Sequence, residues 1–129
     1  MATGFPASTG DVLSAAMYNG LVTFDVEADK TDDYTLVLND SYQNLVPMNK
    51  ATAVALKIPT NASVAFPVGT VITVLNKGAG TVTISAVTSG TTTVTSAGGT
   101  SASPTLGQWK SAACIKISSD AWVVCGAIA

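Results

Sequence analysis

The side chains on which most enzymes and metal sites depend are scarce in this chain, and their spacing limits what they can do. No histidine occurs among its 129 residues, which removes the commonest general base and the ordinary Ser-His and Cys-His nucleophile pairs. Cys114 and Cys125 are too few for a four-ligand zinc site, and their separation matches no CxxC redox motif. Lys77-Gly78-Ala79-Gly80 is too short for a phosphate-cradling loop, and no Gly-Lys-Ser/Thr follows it. The densest constellation is acidic: Asp25, Glu27, Asp29, Asp32 and Asp33 fall within nine residues. Such carboxylates could offer oxygen ligands to Ca²⁺, but their spacing departs from an EF-hand loop and lacks its turn glycine. A solvated acidic loop is the simpler reading. Glycoside hydrolysis would need aromatic platforms beside paired carboxylates, and only Trp109 and Trp122 are candidates. The expectation is a structural or binding protein, not an enzyme, with no catalytic, metal or cofactor site.

Composition narrows the partners. Charged residues make up 11% of the chain and apolar ones 47%, the reverse of a disordered composition. So little charge suggests a surface covered by oligomerisation, or else a crowded sandwich with a Thr/Ser surface. All six cations are lysines and no basic stripe forms, so nucleic acid is not an expected partner. No apolar run approaches 18 residues, so no spanning helix and no membrane partner are expected. The start of the chain lacks the basic and apolar regions of a signal peptide, and synthesis in the cytoplasm is expected. Charge is also uneven: residues 1–40 carry seven acids and one lysine, whereas residues 41–129 carry five lysines and Asp120. The acidic segment could therefore lie against a neighbouring copy or against its own body.

The elements that must position these groups are strands. Residues 1–33 read as an N-terminal arm, a short helix and an acidic linker. The helix is capped by Gly10 or Asp11, carries Val12, Leu13, Ala16 and Met17 as its apolar stripe, and ends at Asn19-Gly20. Residues 34–129 read as a β-sandwich domain. From Tyr34 the apolar pattern has period two. Pro47 in the segment Leu45 to Met48 predicts an edge strand. Val54, Leu56 and Ile58 alternate with Ala55 and Lys57, and Val71–Leu75 with Thr81–Ala86 flank Asn76-Lys77-Gly78-Ala79-Gly80 as a predicted hairpin. Thr88 to Pro104 is rich in Thr, Ser and Gly, with one strand expected near Thr91–Thr95. No internal repeat is evident. The expected fold is all-β: an antiparallel sandwich or barrel of about seven to eight short strands.

The last hairpin, Trp109–Ile117 with Trp122–Ala127, predicts its own register. With a two- or four-residue loop, Ile117 faces Trp122 and Ile115 faces Val124 on one side. Cys114 then falls opposite Cys125 on the other, where oxidation could bridge them. Cytoplasmic synthesis favours free thiols.

Several stretches resemble a module of tailed-bacteriophage virion proteins. They are Tyr34-Thr35-Leu36-Val37-Leu38-Asn39-Asp40, Asn61 to Thr70, Val74-Leu75-Asn76-Lys77-Gly78-Ala79-Gly80-Thr81-Val82-Thr83-Ile84 and Trp122-Val123-Val124-Cys125-Gly126. The opening Gly10-Asp11-Val12-Leu13-Ser14-Ala15-Ala16 is similar to the start of many phage appendage proteins. The resemblance implies a β-rich, trimeric, virion-exposed block, of the kind found in small capsid decoration (cement) proteins and tail-fibre modules. As a decoration protein it would coat the outer capsid surface as a homotrimer and bridge the major capsid protein. Residues 1–24 would grip, with Phe5 and Pro6 as apolar anchors and Val12, Leu13 and Met17 behind them, and Asp25, Glu27 and Asp29 would face a lysine-bearing neighbour. As a tail-fibre or receptor-binding module, it would present the loop Ser89–Pro104 to a host surface.

Overall fold

A computed structural model of the chain describes residues 24–42, 44–98 and 100–129, together with Ala15. The predicted arm and most of the predicted helix, and with them Phe5, Pro6, Val12, Leu13 and Met17, lie outside the described residues. The all-β expectation holds: two sheets pack face to face, one of six strands and one of four.

The chain builds these sheets by crossing repeatedly from one to the other. It starts in the six-stranded sheet with β1 (Asp25–Val26), crosses to the four-stranded sheet with β2 (Tyr34–Thr35), and returns for β3 (Asn44–Met48). The same step joins β3 to β4 (Val54–Ile58), and β5 (Val71–Asn76) to β6 (Val82–Ala86). Parallel strands need a long crossover, and here the strand in the opposite sheet supplies it. β1, β3 and β5 therefore run parallel in one sheet, and β2, β4 and β6 in the other. The sheets are mixed, not antiparallel as the short connections had predicted. β7 (Thr93–Ser96) joins the six-stranded sheet, β8 (Thr105–Leu106) completes the smaller one, and β9 (Ser111–Ser118) with β10 (Ala121–Gly126) forms the closing antiparallel pair.

This topology contains a repeat that the sequence hides. Leu45 pairs with Thr73 in one sheet and Val54 with Val82 in the other, 28 positions apart in both cases. Asn76 to Gly80 is consequently not a hairpin turn but an arch between sheets, stacked on the preceding arch. The Lys77 N–H donates to the Met48 carbonyl at 2.7 Å, and the Gly80 N–H to the Lys50 carbonyl at 2.9 Å. A Cβ on Gly78 would run into the Lys50 backbone, and one on Gly80 into the Thr52 carbonyl. Buried Asn76 pins the arch: its amide donates to Gly80 O and Leu106 O, and its Oδ1 accepts from the Gly78 N–H. Pro47 is inside the sheet, not at its edge. Its carbonyl accepts from the Lys30 N–H at 2.8 Å, so its missing N–H faces the gap between the Glu27 N–H to Leu45 O bond and the isolated Lys30–Met48 bridge.

Alternation fills the core as predicted for Val54, Leu56 and Ile58, which meet Val46, Ile72 and Val74 from the other sheet. The closing hairpin differs. It starts with Ala121 opposite Ser118, but a bulge before Trp122 shifts the ladder by one. Trp122 then opposes Lys116, Val124 opposes Cys114 and Cys125 opposes Ala113. Such a slip exchanges the faces of a strand. Ile115 and Ile117 turn outward, and Lys116 and Cys114 turn into the core. Trp122 still reaches the interior, edge-on to Phe66 with ring centroids 5.5 Å apart.

Candidate functional site

The acidic segment is the first arch of the sandwich, not a linker leading to it, and most of its carboxylates are engaged by lysines or backbone of the same chain. Asp29 accepts from Lys77 Nζ at 2.9 Å and from Asn49 Nδ2 at 2.9 Å, and these hydrogen bonds hold its carboxyl below the usual range. Asp32 pairs with Lys50 at 2.9 Å, and Asp33 accepts from the Ala55 N–H. The uneven charge read from the sequence is thus largely met inside the molecule, where it ties the first arch to the two stacked beneath it. Asp25 lies on β1 opposite Asn44.

Glu27 takes part in a buried polar cluster at the end of the core. Its carboxylate accepts from Asn44 Nδ2 at 2.7 Å and pairs with Lys30 at 3.0 Å. Lys30 also lies 4.4 Å over the Tyr34 ring, a cation–π contact. The Tyr34 hydroxyl donates to Asp40 at 2.8 Å, as does the Val37 N–H. Burial, and then the neighbouring Glu27 carboxyl, push Asp40 up to about 6 against the pull of the Val37 and Tyr34 donors. Burial also pushes Glu27 upward, but hydrogen bonds from Asp40, Lys30 and Asn44 outweigh it and leave Glu27 lowered. The two neighbouring carboxyls are thus driven apart, Asp40 upward and Glu27 downward. The Tyr34 hydroxyl is raised by burial and by Asp40. The cluster ties β1, β2, β3 and the turn at residues 38–41 together at one end of the sandwich.

Two further features were not legible in the sequence. Lys116 is buried, and its ammonium donates to Asn61 Oδ1 at 2.6 Å and to the Phe66 carbonyl at 2.7 Å, which fastens the connection between β4 and β5 onto the sheet. Trp109 is 67% exposed and its backbone φ is 61°, a left-handed conformation that costs a bulky residue energy. Its N–H donates to the Asn76 carbonyl at 2.6 Å, so the turn before β9 is fixed on the glycine arch and carries an exposed indole. The Ser89–Pro104 stretch carries the one strand expected in it, as β7, and Ser96 and Ser101 bond each other beyond it. Among the described residues no group of three or more Asp, Glu or Cys side chains could hold a metal ion together. A groove of about 610 Å³ beside β7 and β10 is lined by Thr95, Val123, Cys125 and Ile128 among others, with no charged side chain.

The outer face of the six-stranded sheet is apolar across several adjacent strands. One row across it reads Val26, Leu45, Thr73, Ala113 and Cys125; the next reads Val71, Ile115, Val123 and Thr95. Val26 and Val71 are 68% and 48% exposed, and Ile117, two residues beyond Ile115 along β9, is 55% exposed, while Leu45, Ile115 and Val123 are half-buried. Neither row holds a charge. The outer face of the other sheet carries Thr35, Lys57, Thr83, Ser85 and Thr105, the polar pattern of a sheet facing water. Cys125 is exposed on the apolar face, and Cys114 lies in the core beneath, its thiol pushed up to about 12 by burial and then by Cys125. The two thiols are free and on opposite faces, which corrects the register that set them opposite each other.

Compared with protein-family models, with curated proteins and with solved structures, the chain finds no match.

Proposed function

We propose that this chain is a non-enzymatic structural protein of a tailed-phage virion: a capsid decoration protein that binds the outside of the head as a trimer and stabilises the lattice of major capsid subunits. Beside the resemblance read at Tyr34–Asp40, Asn61–Thr70, Val74–Ile84 and Trp122–Gly126, one observation carries this reading. A rigid small sandwich presents one polar sheet face and one broad uncharged apolar face, as expected of a block covered in an assembly. Residues 1–24 are the proposed grip, with Phe5 and Pro6 as anchors and Val12, Leu13 and Met17 behind them, rooted where β1 meets the sheet. Asp25, Glu27 and Asp29 mark that root. The mechanism is linkage: a ligand that binds only the assembled lattice stabilises it by about 2.7 kcal/mol at a hundredfold excess over Kd. Several arms on one oligomer add avidity without any single strong contact.

The test is binding of the purified chain to emptied, expanded phage heads, with bacterial cells as the parallel target. Saturable binding to heads, abolished by deleting residues 1–20 while the β circular dichroism persists, supports the reading. Binding to cells alone overturns it in favour of a tail-fibre or receptor-binding module. The exposed Trp109, held in a strained turn, is what favours that second reading, since aromatic side chains displayed on a rigid scaffold suit glycan or protein recognition.

A further inference from the structure

The outer face of the six-stranded sheet calls for an occupant, and its chemistry selects one. An antiparallel or mixed sheet with one free face ordinarily turns polar side chains to water, and the smaller sheet here does so. The larger sheet instead places Val71, Ile115 and Val123 side by side across three adjacent strands, with Leu45 and Cys125 in the neighbouring row. Six strands at about 4.8 Å spacing and some 17 Å length give a face of roughly 450 Å² in projection, and more once side-chain relief is counted. Two such faces give roughly 900 Å² in projection, at the small end of specific interfaces before side-chain relief is counted.

We infer that this face is the contact between copies of this chain, each copy burying Val71, Ile115 and Val123 against a neighbour. Charge decides in favour of a second copy. Homodimer interfaces are more apolar than those with a foreign partner, whose charges help to select it, and this face offers no charge to read. A copy of the same chain meets no like-charge penalty here, because neither side brings a charge. With only 11% of its residues charged, the chain is also poorly suited to remain a lone monomer. The inference does not depend on the virion assignment, because the purified chain alone suffices to test it.

The experiment is light-scattering mass measurement on the full chain, on Ile115→Lys, and on Val71→Lys as the more exposed variant. The wild-type mass should be a multiple of 13.0 kDa, and each lysine variant should fall to the monomer mass with unchanged far-UV circular dichroism. Cys125 supplies a second readout on the same face: a maleimide should label it slowly in the wild type and rapidly in Val71→Lys. A monomeric wild type, or lysine variants that keep the wild-type mass and Cys125 protection, would overturn the inference. So would a monomer that self-associates only after residues 1–23 are removed, because the chain's own N-terminal segment would then be the cover. A monomeric wild type that still saturates phage heads would remove this interface and leave the decoration reading standing.

Discussion

If the glycine arch is stacked rather than turned, its glycines answer to a different physics from the chain's other glycines, and three substitutions separate the cases. Gly80→Ala places a methyl group against the Thr52 carbonyl of the arch above. The two backbones must part, at an overpacking cost of about 1–3 kcal/mol. Parting them also weakens the Gly80 N–H to Lys50 O and Lys77 N–H to Met48 O bonds, at about 0.5–1.5 kcal/mol each. The expected loss is about 2–6 kcal/mol, or roughly 8–24 °C in Tm for a domain of this size. Gly69 has φ of 93° and nothing within 4 Å of an added Cβ, so Gly69→Ala should cost only the left-handed penalty of about 1–2 kcal/mol. Gly90 has open space and no positive φ, so Gly90→Ala should be neutral or stabilising by about 0.4–1 kcal/mol through the unfolded state. Urea or thermal unfolding of the three variants gives the ranking directly. A Gly80→Ala loss no larger than that of Gly69→Ala would refute the stacked arch and restore the hairpin.

Other consequences are as direct. Asp40, raised to about 6, keeps in the folded state a proton that the unfolded chain has already released, so stability should fall as pH rises from about 4 to 6. Glu27 is lowered and opposes this only as the pH drops towards its own titration. The net change is on the order of 1–2 kcal/mol, and Asp40→Asn should flatten the Tm profile between about pH 4 and 6.5; a wild-type profile already flat there would rule out a raised Asp40 carboxyl. Lys116→Met orphans the Phe66 carbonyl and frees Asn61, at about 1–3 kcal/mol, and hydrogen exchange should accelerate at residues 61–69. Unchanged exchange would show that the ammonium does not hold that connection. Trp109→Gly relieves the left-handed strain while losing little packing, and stability should hold or rise by about 1 kcal/mol. A large loss in denaturant titration would mean that the indole is a structural prop, not a displayed contact.

The core of the smaller sheet could be read from the sequence because its parity is unambiguous. Val54, Leu56 and Ile58 alternate with Ala55 and Lys57, and the structure buries the first set. The order of the strands was not legible. Asn76-Lys77-Gly78-Ala79-Gly80 satisfies the turn chemistry of a hairpin, and only the position of Lys50 and Thr52 against Gly78 and Gly80 reveals why glycine is needed. The 28-residue repeat is equally silent, because the stacked positions share only Val46 with Val74, Ala51 with Ala79 and Val54 with Val82 across two whole arches. Stacking constrains backbone spacing and inward volume, and many side chains meet both.

The apolar sheet face was missed for a related reason, and that reason points back to function. In β9, Ala112, Cys114 and Lys116 occupy one parity, and Ala113, Ile115 and Ile117 the other. Judged on apolar character alone, the second set belongs inside, which is where the expected register put it. The bulge before Trp122 and the acceptors offered by Asn61 and Phe66 reverse the choice, because a lysine with two buried oxygen partners can enter a core. Its entry sends two isoleucines outward. A strand apolar on both parities belongs to a sheet covered on both faces. β10, where Trp122 and Val124 point inward while Val123 points outward, makes the same case independently. The ambiguity that defeated the register is therefore itself a signal: β9 and β10 carry apolar side chains on both parities, the pattern expected if the proposed contact between copies covers the outer face.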